Sequence, residues 1–430
     1  MKKHLILAAV AAFSFLSASA QSGTNSPYSQ YGLGVLADQS QGFNCGMNGV
    51  GLSLRKGNAV NVLNPASYSG IDSLTMIFDV GLSGQITNFK EGATKVNAKN
   101  ADFEYAVGSF RLLPNVGIGF GIIPYSNIGY EYFSNVKLKD AFGTVMETAS
   151  YDYEGDGGLH QVFIGAGWKV AKPLSIGLNV AYLWGTMDRS ITSSSSSSSV
   201  NTLMKGYYSN INSYLLTAGF QWEQRLNRED VLTLGATIGL GHKLGADANC
   251  MILNTNNMTS MVDTTTFVVS NAYEIPMSYS VGLGWTHGDR LFVGADFNLQ
   301  KWGSLDYPDY SNGTYALRSG LLKDRYKVNV GADFVPNPMS RTFVHRVHYR
   351  MGVGYATPYY YIGGQDGPKE LSVSAGFGIP LQNGWNNRSI LNISAQWARS
   401  SAQNLLTENT FRINIGLTFN ERWFAKWKVD

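Results

Sequence analysis

The sequence predicts an all-β protein, a transmembrane antiparallel β-barrel of about 14 strands with an N-terminal hatch or plug segment in its lumen. Large apolar side chains occupy every second position of several segments, with small or polar residues between them. Because strand side chains alternate between two faces, each such segment has one apolar face. Charged residues make up only 15% of the chain and aromatic residues 13%, which suits a barrel whose outer surface contacts lipid. The clearest of these segments are 232–240, 277–285, 349–355, 371–379 and 411–419.

Residues 1–20 are typical of a secretory signal peptide. Lys2 and Lys3 precede an apolar run over 5–16, and small residues lead to a cleavage site near Ala20-Gln21. No later stretch approaches the roughly 18 apolar residues of a transmembrane helix. We therefore expect the chain to enter the membrane by strands, since only helices and closed barrels satisfy their backbone in lipid. The predicted location is the outer membrane of a Gram-negative bacterium.

Residues 21–72 do not alternate and are rich in Gly, Asn and Ser. A segment of this length either hangs in the periplasm or folds back into the barrel. A barrel of about fourteen strands encloses more space than the side chains of a small barrel can fill. We therefore predict that 21–72 forms a hatch inside the lumen and that 73–430 forms the barrel.

Connections within 73–430 alternate between short and long. Outer-membrane barrels have short periplasmic turns and longer external loops. On that basis the segments 90–100, 134–150 and 188–205 are predicted external loops, and the even strand number places both termini in the periplasm.

Aromatic residues occur near both ends of the predicted strands. Those on the long-loop side predict an outer aromatic girdle, although some could instead line an apolar groove among the external loops; they are Tyr125, Tyr130, Tyr132, Phe133 and Tyr359, Tyr360 and Tyr361. Trp168, Trp222 and Trp285 end strands on the opposite side and predict an inner girdle.

Several motifs resemble the FadL family of outer-membrane transporters for long-chain fatty acids and aromatic hydrocarbons. The run 46–54, Gly-Met-Asn-Gly-Val-Gly-Leu-Ser-Leu, followed by Asn64-Pro65-Ala66, is similar to that family's hatch. The runs 116–125 and 172–182 are similar to its third strand and to a later hairpin. The chain departs from the family in the weak helical periodicity of its hatch and in ending on Asp430 rather than on an aromatic residue.

The resemblance implies passive uptake of hydrophobic small molecules, fatty-acid-like or aromatic, through a barrel gated by the hatch at Asn64, Pro65 and Ala66. Gly119, Gly121 and Pro124 suggest a kink in the third strand, because Pro interrupts ladder hydrogen bonding, and hence a lateral opening. Lys327, Arg350 and Arg412 are expected to face the lumen. They either pair with other lumen and hatch residues or hold a substrate carboxylate, for which the Arg fork is well suited.

Two other functions remain open from the sequence. The same architecture could serve as a subunit in protein secretion or assembly, with a protein partner, or as a polar diffusion porin. We expect no enzyme activity, cofactor or metal site, because the histidines lack ligand spacing and no nucleophile elbow is present. The net charge of +3 gives no reason to expect nucleic acid. The expected partners are the lipid bilayer and a hydrophobic ligand. A disulfide between Cys45 and Cys250 is not favoured.

Overall fold

The computed structural model describes residues 23–139, 145–381 and 389–421. The predicted signal peptide 1–20 and the last nine positions, 422–430, lie outside the described residues. Fourteen antiparallel strands form the wall, and pairing of the first with the last closes it. This confirms the predicted fold class. The strands are β1 Met76–Glu91, β2 Thr94–Leu113, β3 Val116–Lys139, β4 Val145–Lys169, β5 Leu174–Ser195, β6 Thr202–Arg225, β7 Asp230–Gly239, β8 Ser278–His287, β9 Leu291–Gln300, β10 Arg325–Phe334, β11 His348–Ala356, β12 Lys369–Leu381, β13 Ser389–Ser401 and β14 Thr407–Glu421.

The outer face of the wall carries the apolar side chains of the alternating segments. In β8, Val281, Leu283 and Trp285 are exposed, while Gly282 and Gly284 between them are buried inside. Trp168, Trp222 and Trp285 are exposed near the side of the short turns, as the predicted inner girdle requires. A lipid-facing surface explains why so many large apolar residues are exposed in one continuous band.

The wall is much taller on one side. The strands β3 to β6 have 24, 25, 22 and 24 residues, whereas β7 to β10 have 10 each. About ten residues suffice for a transmembrane strand. The excess extends beyond the membrane on the long-loop side, and the strands Ala248–Thr255 and Val262–Val269 add to it next to β6. We call this part the outer sheet. The described residues of the segments 90–100, 134–150 and 188–205 are therefore largely strand rather than loop.

Small elements complete the described chain. Short strand pairs are His242–Lys243 with Glu274–Ile275, Tyr307–Ser311 with Thr314–Arg318, and Tyr361–Ile362 with Gln365–Asp366. Helical turns are Pro27–Gln30, Pro65–Gly70 and Trp302–Ser304, all 3-10, with α1 Gly42–Cys45 and α2 Phe343–Arg346. Among the described residues, no helix has both the length and the apolar character to cross a membrane.

The wall is split between β2 and β3. Their pairing begins at Leu113 and Val116 and ends at Ala106 and Ile122. Beyond that point β2 continues to pair with β1, and β3 continues with β4, with a register shift between Pro124 and Ser126. The two strands therefore separate in the outer half of the barrel.

Residues 23–37, which we call the wedge, fill this split from inside. The Asn25 side chain donates to the Lys99 carbonyl of β2 at 3.2 Å. On the other side Val35–Leu36 pairs with Asn127 and Ser126 of β3. The wedge thus fills the gap where β2 and β3 no longer pair with each other.

Candidate functional site: the hatch and the lumen

The predicted hatch 21–72 has two parts in the structure, the wedge and residues 38–72. Residues 38–72, which alone we call the hatch from here on, pack directly on the bare backbone of the inner wall. Glycines of β10 and β14 show why: a Cβ on Gly331 would lie 2.6 Å from the Met47 carbonyl oxygen, and one on Gly416 would lie 2.7 Å from the Gly42 Cα. Only glycine permits such an approach. Similar contacts occur on most other strands and form what we call the glycine belt, which consists of Gly117, Gly119, Gly167, Gly177, Gly219, Gly235, Gly282, Gly331, Gly352, Gly376 and Gly416.

Gly119 and Gly121 have different neighbours. A Cβ on Gly119 would meet the ring of Tyr68, which is fully buried in the hatch, whereas one on Gly121 would meet the Ala106 carbonyl of β2. The irregularity in β3 comes three residues later, after Pro124. Gly119 is thus explained by hatch packing, and Pro124 marks the point above which β3 leaves β2.

Buried carboxylates of the wall hold the hatch backbone. Asp296 of β9 accepts from the backbone N–H groups of Gly51 and Leu52, at 2.7 and 3.0 Å. Asp79 of β1 accepts from the Tyr105 hydroxyl, which itself accepts from the Gly42 N–H at 2.5 Å. A buried N–H group that loses its acceptor is costly, so these contacts fix the hatch in register with the wall.

Asn64, Pro65 and Ala66 lie at one end of this packing. The Asn64 side chain accepts from the Ala66 N–H at 3.1 Å, capping the helical turn Pro65–Gly70. Its amide donates to the Leu52 and Phe220 carbonyls, at 2.9 and 3.0 Å. The motif therefore joins two parts of the hatch to β6.

The three predicted lumen cations all have protein partners. Lys327 pairs with Asp38 of the hatch; although burial acts to raise the pKa of Asp38, Lys327 lowers it below its ordinary value. Arg350 is buried and donates to Asn392 at 2.6 Å. Arg412 donates to Gln85 through two nitrogens, at 3.0 and 2.8 Å.

Arg350 belongs to a charge cluster at the inner end of the lumen. Its Nε lies 3.4 Å from Asp333, which also contacts His348 at 2.9 Å and Lys56 of the hatch at 2.5 Å. A second hatch cation, Arg55, pairs with Glu223 at 3.1 Å. The cluster therefore serves as another attachment of the hatch.

The described residues above the hatch line cavities of about 230 and 170 Å³. Both are lined by Asp38 and Arg325, and the smaller one also by Asp102, Glu104 and Glu370. Within the described residues, Arg325 makes no ion pair. Arg325 is not among the lumen residues predicted from the sequence, although strand alternation from Lys327 places it on the same inward face.

The outer half of the lumen is filled by an apolar core. Tyr31 stacks on Tyr360 at 5.2 Å, and Trp302 lies 4.8 Å from Tyr359, measured between ring centroids. Tyr130, Tyr359 and Tyr360 are at most 8% exposed, so the girdle predicted from these residues was wrong; Phe133 remains exposed. Side chains at the strand ends turn inward here because the wedge and external segments offer them an apolar core.

The cysteines are separate free thiols. Burial raises the pKa of Cys45 to about 12, which makes it a poor nucleophile at neutral pH. In the part of the chain that the structure describes, no three His, Cys, Asp or Glu side chains are grouped so as to hold a metal ion.

Comparison with known proteins gives a family and a fold. The sequence model of the family described as BamG matches residues 1–430. No curated protein matches the sequence. Among solved structures, the toluene transporter TbuX of Ralstonia pickettii is similar with a TM-score of 0.60 at 13% identity, over 90% of this chain and 98% of TbuX.

Two further structures give the same result. The P. putida toluene transporter TodX has a TM-score of 0.60 at 15% identity, over 89% of this chain and 98% of that one. A Pseudomonas aeruginosa FadL homologue has a TM-score of 0.59 at 13% identity, over 88% and 98%. The chain therefore has the fold of FadL-like outer-membrane channels, as its sequence motifs predict.

Proposed function

The chain belongs to the BamG family, and from this premise and the geometry of its lumen we propose that it is a hatch-sealed outer-membrane barrel that works as a protein-bound subunit in secretion or assembly. The observation that carries the proposal is the glycine belt. A hatch that lies on bare backbone around the barrel fits in one position only, and moving it would break its contacts with Asp296, Tyr105 and Asp333 together. Such a seal suits a scaffold better than a pore.

The lumen chemistry agrees with this assignment. A site for an apolar solute is a cavity lined mainly by apolar side chains. The described cavities above the hatch have a mixed lining instead: Asp38 and Arg325 line both of them, and apolar side chains such as Phe163 and Leu215 line part of the larger one. The apolar residues of the outer half are packed against one another in the core of Tyr31, Tyr360 and Trp302.

The outer sheet offers a surface on which a protein could dock. Its strands extend a dozen or so residues beyond what the bilayer requires, and Phe133 and Met146 are 73% and 72% exposed near its top. Exposed large apolar residues outside a membrane band are typical of protein contact sites. Among the described residues, the strand Val262–Val269 pairs with another strand along one edge only, and an unpaired edge can accept a partner strand.

Photo-crosslinking in native outer membranes tests the proposal. A benzophenone amino acid at Phe133 or Met146 should give one discrete protein adduct, whereas the same probe at Val353, exposed in the lipid band, should give none. A purified barrel that carries no partner, together with no adduct from either outer position, would overturn the proposal. Steady large conductance of the intact protein in planar bilayers would instead favour a porin.

Uptake of hydrophobic small molecules, fatty-acid-like or aromatic, is the second candidate. The split between β2 and β3 favours it, because an apolar solute could pass sideways into the membrane there if the wedge moved. The named relatives in structure are toluene transporters, but at this identity only their fold carries over.

A crosslink across the split tests this candidate. A Cβ on Gly23 would lie against the Asp102 carboxylate, so cysteines at 23 and 102 should form a disulfide that fixes the wedge to β2. If the protein carries solute through the split, oxidation should abolish uptake of a labelled fatty acid and reduction should restore it. Uptake that is equal in both states, or absent in both, would remove this candidate.

A further inference from the structure

The turn between β10 and β11 differs from the neighbouring turns on the inner side. Residues 335–347 connect these strands, whereas β7 and β6 are joined by 226–229 and β8 and β9 by 288–290. The turn contains the one-turn helix α2, Phe343–Arg346. Its Asn337 N–H donates to the His345 carbonyl at 2.8 Å, so the turn is closed and ordered.

A tyrosine of β11 shows on which side of the wall α2 lies. Tyr349 pairs across the sheet with Phe334 and Phe377, both about half exposed on the lipid-facing side, and its ring lies 5.8 Å from that of Phe377. The Tyr349 hydroxyl donates to the Val344 carbonyl at 3.1 Å. Because Tyr349 points outward, α2 lies beside the outer surface of the barrel, at the level of the inner aromatic girdle.

The side chains of the turn suit an interface between water and lipid. Met339 is 88% exposed, Val344 56% and Phe343 50%. Arg341 and Arg346 stand among them, and 335–347 contains no Asp or Glu. Apolar side chains with adjacent cations are the combination by which amphipathic segments bind a lipid surface, and Arg and Lys close to the surface are attracted to anionic lipid headgroups.

We propose that this turn is an interfacial anchor: Phe343 and Val344 insert among the acyl chains of the periplasmic leaflet, and Arg341 and Arg346 bind phospholipid phosphate groups. The anchor fixes the depth of the barrel on the β10–β11 side. It is independent of the function proposed above, since it needs neither a protein partner nor passage through the lumen.

Site-directed spin labelling in vesicles tests the anchor. The background is Cys45→Ser with Cys250→Ser, and the label is attached after Phe343→Cys or, as the matched control in the neighbouring exposed turn, Asp289→Cys. In vesicles of phosphatidylethanolamine with phosphatidylglycerol, the label at 343 should be severalfold more accessible to oxygen than to a water-soluble nickel chelate. The label at 289 should show the reverse.

Three outcomes decide the matter. Equal water accessibility at 343 and 289 would overturn the anchor. Shielding of 343 from both reagents in native membranes but not in vesicles would also overturn it, since a protein would then cover the turn. The double variant Arg341→Gln, Arg346→Gln tests the headgroup contact. If phosphatidylglycerol changes the accessibility at 343 in the parent protein but not in this variant, the contact of the two arginines with lipid phosphates is supported. If the variant still responds to phosphatidylglycerol, that contact is overturned. Heat-modifiable gel migration establishes that each variant is folded.

Discussion

At the scale of single residues, the inner wall depends on glycines, whose lack of a side chain lets the hatch backbone contact the strands. Gly352 has no side chain because the Met47 backbone occupies its place, whereas Gly84 faces outward with nothing within 4 Å of an added Cβ. The same residue type therefore has two unrelated roles in one barrel. At the belt it permits close packing, and on the outer face it only spaces larger side chains.

Gly352→Val should unseat the hatch, and Gly84→Val should not. Backbone atoms cannot yield as a flexible side chain does, so the substitution at 352 should cost about 1–3 kcal/mol of hatch stability. In a Cys250→Ser background, maleimide labelling of Cys45 should accelerate by roughly tenfold or more in Gly352→Val, because 1.4 kcal/mol corresponds to a factor of ten. Equal labelling in the two valine variants would contradict the packing role of the belt.

Asp296→Ala should loosen the hatch in a different way. It leaves the Gly51 and Leu52 N–H groups without their acceptor, and each buried unsatisfied donor costs about 1–3 kcal/mol. Hydrogen exchange of these two amides should rise well above that in Asn298→Ala, a control that also alters a residue lining the larger cavity. Unchanged exchange would mean that other contacts hold the hatch alone.

At the scale of elements, the membrane part of each strand follows from its apolar alternation, but the outer sheet does not. The segments 90–100, 134–150 and 188–205 lack the alternation because both of their faces meet water or polar neighbours, so period-2 hydrophobicity cannot reveal them. They pair all the same, through continuous backbone ladders such as β4 with β5. The outer sheet therefore cannot be predicted from hydrophobic alternation in the sequence.

Shortening the outer sheet should separate folding from partner binding. Replacing residues 134–151 by an Asn-Gly turn joins Phe133 to Asp152, which are already cross-strand partners, and Asn-Gly favours a tight hairpin. We expect a heat-modifiable barrel with nearly unchanged melting temperature that no longer copurifies with the protein partner. Loss of the folded barrel would show that the outer sheet is needed for stability instead.

At the scale of the whole molecule, the sequence predicted the barrel and its strand number, but not the contents of the lumen. Alternation and the Asn64-Pro65-Ala66 motif act locally. Whether the side chain of Tyr359 or Tyr130 faces the lipid or the core of the lumen depends on which distant segments pack inside the barrel. No local sequence pattern contains that information. The same holds for Asp296, whose partners in the hatch lie far away in the sequence.

The intact protein should be electrically silent in planar bilayers, and a variant lacking residues 23–72, the wedge and the hatch together, should conduct. The reason is geometric: the hatch backbone contacts the inner wall, and the wedge belongs to the apolar core of the outer half, so removing both opens an aqueous path through the lumen. Recordings of both proteins at equal insertion, judged by gel migration, provide the measurement. Comparable conductance of the two would mean that the hatch does not seal the barrel.

The seam between β1 and β14 has a consequence for the order of events during biogenesis. Met76–Glu91 pairs with Thr407–Glu421, so the cylinder cannot close before the end of the chain has been translocated. Gly42 and Gly46, near the start of the chain, rest against Gly416 of β14 and Gly376 of β12. The N-terminal segment therefore cannot complete its contacts with the wall until the last strands have paired and closed the seam.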